Sequence, residues 1–204
     1  MRALRPLLVL LVALLAGAAS GLALGAISPY IYVALLGPLL IGVTVGSAAA
    51  LAALTTGASL GRPALLAAGV GVLAALIAVQ VLEDRAMRRG FTDDYARASM
   101  VASGVPEEAS TDADELAFYA GGAASALDTQ VRKATGHGGA WGRWLFRADA
   151  GVRLFGPAAQ SRGLAVGRAG AVVFAVLELV LALAVSALVL RRVRRRRDAE
   201  AQPP

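Results

Sequence analysis

The sequence predicts an all-α polytopic membrane protein, with four transmembrane helices and a helical extracytoplasmic segment between the third and the fourth. Three observations predict it. Apolar residues make up 57% of the 204-residue chain and charged residues only 17%, where a soluble domain carries about a quarter charged residues. The apolar residues gather into blocks near the ~20 residues an α-helix needs to cross the hydrocarbon core. The basic residues collect beside those blocks, which is the pattern of a topology signal.

The blocks run over residues 6–24, 31–54, 64–82 and 169–190, after a short N-terminal stretch, 1–5, that carries Arg2 and Arg5. The first three contain no Asp, Glu, Lys or Arg, and the fourth contains a single charge, Glu178. Ser28-Pro29-Tyr30 is a turn signal, and Tyr30 and Tyr32 suit a headgroup boundary. Gly57 to Pro63 forms a short turn holding Arg62, and Pro63 fits the first turn of the third helix, where its missing N–H costs nothing. Gly37-Pro38 lies inside the second block and predicts a kink. The first block has an alternative reading as a signal peptide, with Met1 to Arg5 as its n-region and Ala16-Gly17-Ala18 as a cleavage site. Its glycines and the closeness of the second block favour a retained helix.

Orientation follows from arginine. All the basic residues except Lys133 are arginine, and with abundant Ala, Gly and Val this is the composition of a GC-rich bacterial genome. Arg2, Arg5, Arg62 and the tail residues Arg191, Arg192 and Arg194–Arg197 all fall on one side if the chain crosses an even number of times. Both termini, including the tail at 191–204, are then cytoplasmic in a bacterial cell (inner) membrane, and residues 83–168 are outside. Arg85, Arg88 and Arg89 oppose this assignment, and the tail outweighs them. The tail is also expected to bind anionic lipids, each basic residue contributing about 1 kcal/mol near such a surface. Residues 83–168 hold eleven acidic and eleven basic residues, so the high pI comes from the ends, and nucleic acid is not an expected partner.

Small residues mark the packing faces. Gly17-x-x-x-Gly21-x-x-x-Gly25 in the first block and Gly42-x-x-x-Gly46-x-x-x-Ala50 in the second place small side chains four apart on one face, where another backbone can approach closely. The partner is a helix of the same chain, a second copy, or another membrane protein.

The outer segment reads as helices and loops. One short helix covers Phe91 to Ser103. A second starts at Asp112-x-x-Glu115, a capping-box pattern, and repeats apolar residues at Leu116, Tyr119, Ala123, Leu127 and Val131, with Gly121-Gly122 weakening it. A third, 141–155, is amphipathic: Trp141, Trp144, Leu145, Ala148, Val152 and Phe155 share a face, with Arg143, Arg147, Asp149 and Arg153 elsewhere. It fits a helix lying in the membrane interface with Trp141 and Trp144 as anchors, and equally a helix packed on the outer segment.

Candidate chemistry is sparse. With no cysteine and one histidine, His137, cysteine-based sites and multi-histidine metal sites are excluded, and no cofactor is expected. Glu178, near the middle of its block, costs a few kcal/mol if charged and bare. It is expected to be neutral, to face the bundle interior, or to pair with Thr44 and Ser47 of the second helix or Ser20 of the first. It is therefore a polar lock between helices or a proton- or ion-coupling site. Asp93-Asp94 and Glu107-Glu108 read as solvated acidic pairs, and no catalytic motif is present.

Pro29-Tyr30-Ile31-Tyr32, Gly142-Arg143-Trp144 and Gly167-Arg168-Ala169-Gly170, set before a last helix bearing Glu178, are similar to stretches of small uncharacterised bacterial four-helix integral membrane proteins. The resemblance implies the four-helix layout and no particular activity, substrate or cofactor. The expected function is that of a non-enzymatic membrane protein acting through helix–helix association or as an accessory subunit, with a small transporter or channel subunit coupled through Glu178 as the alternative.

Overall fold

The computed structural model describes residues 4–28, 35–105, 113–151 and 166–200, and these are helical apart from short turns. The elements are α1 (Leu4–Ile27), α2 (Leu36–Thr56), α3 (Arg62–Ala102), α4 (Ala113–Tyr119), a 3₁₀ turn (Ala120–Gly122), α5 (Ala123–Thr135), α6 (Gly139–Ala150) and α7 (Gly167–Glu200). Four of them, α1, α2, α3 and α7, are long and apolar enough to cross a membrane.

At 1.5 Å per residue, the 24 residues of α1 and 21 of α2 span about 36 and 31 Å, close to one hydrocarbon core. The 41 residues of α3 and 34 of α7 span about 61 and 51 Å, so both overhang, at opposite ends of the bundle. The short helix expected from Phe91 to Ser103 is therefore part of α3. Nothing between Leu82 and Phe91 stops the helix: Glu83 to Arg89 are good helix formers, Asp84 and Arg88 pair one turn apart at 3.2 Å, and Gly90 alone costs only about 1 kcal/mol. The overhang of α7 carries the arginine run as helix to Glu200.

The kink expected at Gly37-Pro38 is also corrected. Because α2 starts at Leu36, Pro38 lies in its first turn, where its backbone nitrogen has no helical acceptor to lose. The other end of α2 closes on Gly57 in the left-handed region (φ 67°), with Gly57 N–H donating to Leu54 O and Ala58 N–H to Ala53 O.

The apolar helices form a rhombus. α2 and α3 touch each other and both touch α1 and α7, while α1 and α7 occupy opposite corners and do not meet. The contacts run in register along parallel pairs: Gly17, Gly21 and Gly25 of α1 face Gly71, Ala75 and Val79 with Leu82 of α3, and Gly42 and Gly46 of α2 face Ala182 with Val185 and Ser186 with Val189 of α7. The chain thus alternates direction, α1 and α3 one way, α2 and α7 the other. The interior is built of small side chains, among them Ala13, Ala49, Ala53, Ala64, Ala68 and Ala75, with Val9, Ile41, Val45 and Val72, while leucines such as Leu15, Leu51, Leu66 and Leu188 point outward. Large apolar side chains outside and small ones inside invert the soluble pattern and suit a lipid surround.

One end of the bundle holds Arg5, whose guanidinium donates to Gly57 O at 3.3 Å, with the Arg62 turn and the arginine overhang of α7. The other end carries α4–α6, packed on the overhang of α3 around Ala96, Met100, Leu127 and Val131. Gly121-Gly122 falls in the 3₁₀ turn, where the weakened helix tightens and lets α5 restart.

A methyl group on Gly17 would collide with the Gly71 carbonyl, whose carbon lies 2.7 Å away, whereas one on Gly90 meets nothing within 4 Å. Gly17→Val is therefore expected to lower stability in mixed micelles by on the order of 3 kcal/mol, and Gly90→Ala to raise it by about 0.5–1 kcal/mol. Denaturation by titrated SDS measures both.

Candidate functional site

Glu178 lies half-buried on the stripe Glu178, Ala182, Ser186, Leu190 of α7, four residues apart and so on one face. Ala182 and Ser186 of that stripe meet Gly42 and Gly46. The parallel register of α2 and α7 places Glu178 one turn outward, at the level of buried Pro38 in the first turn of α2.

The expected polar partners are not gathered there. Thr44 and Ser47 are exposed on α2, because the Gly42–Gly46 face is the one turned to α7 and residues one or two positions away on a helix point elsewhere. Ser20 donates to Gly17 O of its own helix at 3.0 Å. A polar contact between α2 and α7 that the sequence alone does not indicate is made by Ser186, which is 1% exposed and donates its hydroxyl to Gly42 O at 3.0 Å. Its only signal was position, eight residues after Glu178.

The glycine stripes come together within the chain. Gly17, Gly21 and Gly25 meet α3 through a surface the sequence reading also missed, Gly71 and Ala75. That surface was legible as Ala64, Ala68, Gly71 and Ala75, a run of small residues at helical spacing.

Among the described residues, a dense polar cluster lies at the end opposite the arginine overhang, where α6 crosses α3 and α7. Arg143 grips Asp84 with two hydrogen bonds, Nε to Oδ1 at 2.7 Å and Nη2 to Oδ2 at 3.1 Å. One turn along α6, Arg147 donates to Glu83 Oε2 and Gln80 Oε1, each at 3.1 Å. Asp149 accepts from Arg168 of α7 through Nε at 2.9 Å and Nη2 at 2.8 Å, and Arg168 also donates to Ala134 O. The side chains of Arg143 and Asp84 are only 18% and 14% exposed, so their pairing is screened less than a surface pair.

Burial would raise the Asp84 pKa, but the hydrogen bonds and charge of Arg143, with the charges of Arg88 and Arg147, outweigh it and hold the carboxyl below its ordinary value. The hydrogen bond from Arg168 likewise lowers Asp149.

The apolar face expected on α6 is divided. Gly142, Leu145 and Ala148 are buried against neighbouring helices, while Trp141 is 57% exposed and stacks on Trp144 with ring centroids 5.1 Å apart and planes 10° apart. The arginines placed off that face make the contacts to α3. Arg191 and Arg192 are exposed on the helical overhang of α7. Tyr30 and Tyr32, and the expected end of the amphipathic helix at Val152 to Phe155, lie outside the described residues. No group of three or more His, Cys, Asp or Glu is placed to hold a metal among the described residues.

Because the folded Asp84 pKa lies below its unfolded value of about 3.9, its stabilisation is complete above that value and is lost as pH falls through the folded one. Acidification below about pH 4 should therefore loosen α6, read as a change in Trp141–Trp144 fluorescence before the bundle unfolds. Asp84→Asn should produce that change at neutral pH and cost about 1–3 kcal/mol.

Comparison with known protein families, with characterised proteins and with solved structures finds no significant match to this chain.

Proposed function

We propose that this chain is a non-enzymatic integral membrane protein that crosses a bacterial cell membrane four times and acts as an accessory or structural subunit. The observation that carries the reading is how the small-residue stripes are used. Those of α1 and α2 are taken up against α3 and α7, so the bundle closes on itself, and α6 is tied by ion pairs to both helices at its end. The result is a closed post bearing a fixed helical cap, suited to present that cap to a membrane partner or a second copy. The arginine-bearing end is the cytoplasmic one under the positive-inside rule, which leaves the cap outside, with Trp141 and Trp144 near the outer headgroups.

The absence of cysteine allows a direct test of topology. Single cysteines at Ser125 in the cap and Ser59 in the second turn are both at exposed positions. In intact cells whose outer face is reachable, a membrane-impermeant maleimide should label Ser125→Cys and leave Ser59→Cys unlabelled until the membrane is opened. The reverse pattern would overturn the orientation.

A second reading, a small transporter or channel subunit, is favoured by the place of Glu178 on the inward stripe of α7. It expects Glu178→Gln to abolish proton or ion flux in proteoliposomes while leaving expression and oligomeric state unchanged. Unaltered flux in Glu178→Gln, with Glu178→Leu doing no more than loosening the bundle, would eliminate it.

A further inference from the structure

A groove of 420 Å³ runs between α3 and α7, lined by Leu65, Ala68 and Gly69 on one side and by Val180, Leu183 and Ala187 on the other. It lies towards the arginine-bearing end of the bundle and is open on one flank, where Leu65 is 47% and Val180 55% exposed. From Val180 to Ala187 it extends about 10 Å along the helix, two-thirds of the ~15 Å hydrocarbon depth of one leaflet.

The end of the groove is cationic. α3 and α7 are antiparallel, and a methyl group on Gly69 would lie 3.9 Å from Leu183 Cδ2. From that contact, Arg62 is seven residues back along α3 and Arg191 eight residues on along α7, both about 10–12 Å towards the same end. Seven residues is close to two full turns, so Arg62 shares the Gly69 face. Arg191 follows Ala187 by four and so shares its face. Both arginines are exposed, and neither makes an ion pair among the described residues.

We propose that the groove between α3 and α7 holds one acyl chain of an anionic glycerophospholipid whose phosphate is bound between Arg62 and Arg191. Apolar lining and paired cations, stacked along one line at the depths of chain and headgroup, complement a lipid rather than a peptide or a free anion. A guanidinium pair suits a phosphate because each presents a planar fork of donors. Small residues at Ala68, Gly69 and Ala187 make the concavity, since larger side chains there would fill it. The proposal rests on the membrane-spanning reading and deepens it.

The test is native mass spectrometry of the full chain released from detergent micelles doped with phosphatidylglycerol or phosphatidylcholine. The wild-type chain should retain phosphatidylglycerol in preference to phosphatidylcholine. Arg62→Gln with Arg191→Gln should lose that preference by about tenfold or more. Arg192→Gln with Arg196→Gln, on the side of α7 turned away from the groove, should keep it. Gly69→Val, which narrows the groove without touching charge, should lower retention of the lipid while the bundle stays folded by circular dichroism. Equal loss in both arginine pairs would make the effect one of general tail charge and overturn the site. So would a stable dimer that Gly69→Val dissolves, because a second copy would then occupy the groove. Wild-type protein that stays monodisperse without detergent would instead defeat the membrane reading itself.

Discussion

The contact of α1 with α3 governs this structure. At Gly17 and Gly71 the two helices meet backbone to backbone, with no room for a single methyl group. In water, burying leucine and valine would hold such helices together. A lipid surround removes that advantage, since the tails are as apolar as the side chains, and leaves close packing and interhelical hydrogen bonds as the cohesive terms. Closeness then requires small residues, which explains an interior of alanine and glycine with the leucines outside. The same logic repeats between α2 and α7, where Gly42 and Gly46 admit α7 and Ser186 adds a hydrogen bond to Gly42 O.

The cap follows a different physics. Its apolar core is small, built around Leu127, Val131 and Met100, and it lies beyond the apolar stretches of α3 and α7. There α6 is held by paired charges: Asp84 with Arg143, Glu83 with Arg147, Asp149 with Arg168. Two of these pairs are largely shielded, and the Arg143 pair is bidentate, which gives direction as well as energy. Arg168–Asp149 is more open, with its side chains about two-fifths exposed, and contributes correspondingly less. These contacts also change the meaning of the basic residues just past Leu82. Arg88 is drawn to Asp84 on its own helix at 3.2 Å, so this cluster is an ion-paired part of the cap rather than a free basic patch.

The two ends of the bundle are therefore unlike. The cap end neutralises its charges against one another. The opposite end leaves Arg62 and Arg191 without acidic partners among the described residues, beside an apolar groove. This pairing of apolar lining with exposed arginines is the feature on which the proposed phospholipid site rests.

Composition and periodicity by themselves determined the four apolar helices, the basic end, the small-residue faces of α1 and α2, and the weak point at Gly121-Gly122. These are local properties: a run of apolar residues, a spacing of four, a glycine pair. α3 runs beyond the apolar block because the charged residues after Leu82 end the hydrophobic pattern without ending the helix. The kink at Pro38 failed because it depended on where α2 begins. Only the tertiary structure decided which helix each glycine stripe meets, that Thr44 and Ser47 turn away from the α7 contact, and that Arg143 and Arg147 reach Asp84 and Glu83 some sixty residues earlier in the chain. The reason is physical. A stripe or a charge on one helix states what kind of surface it wants, but which surface it receives is settled by how all the helices share the same limited space.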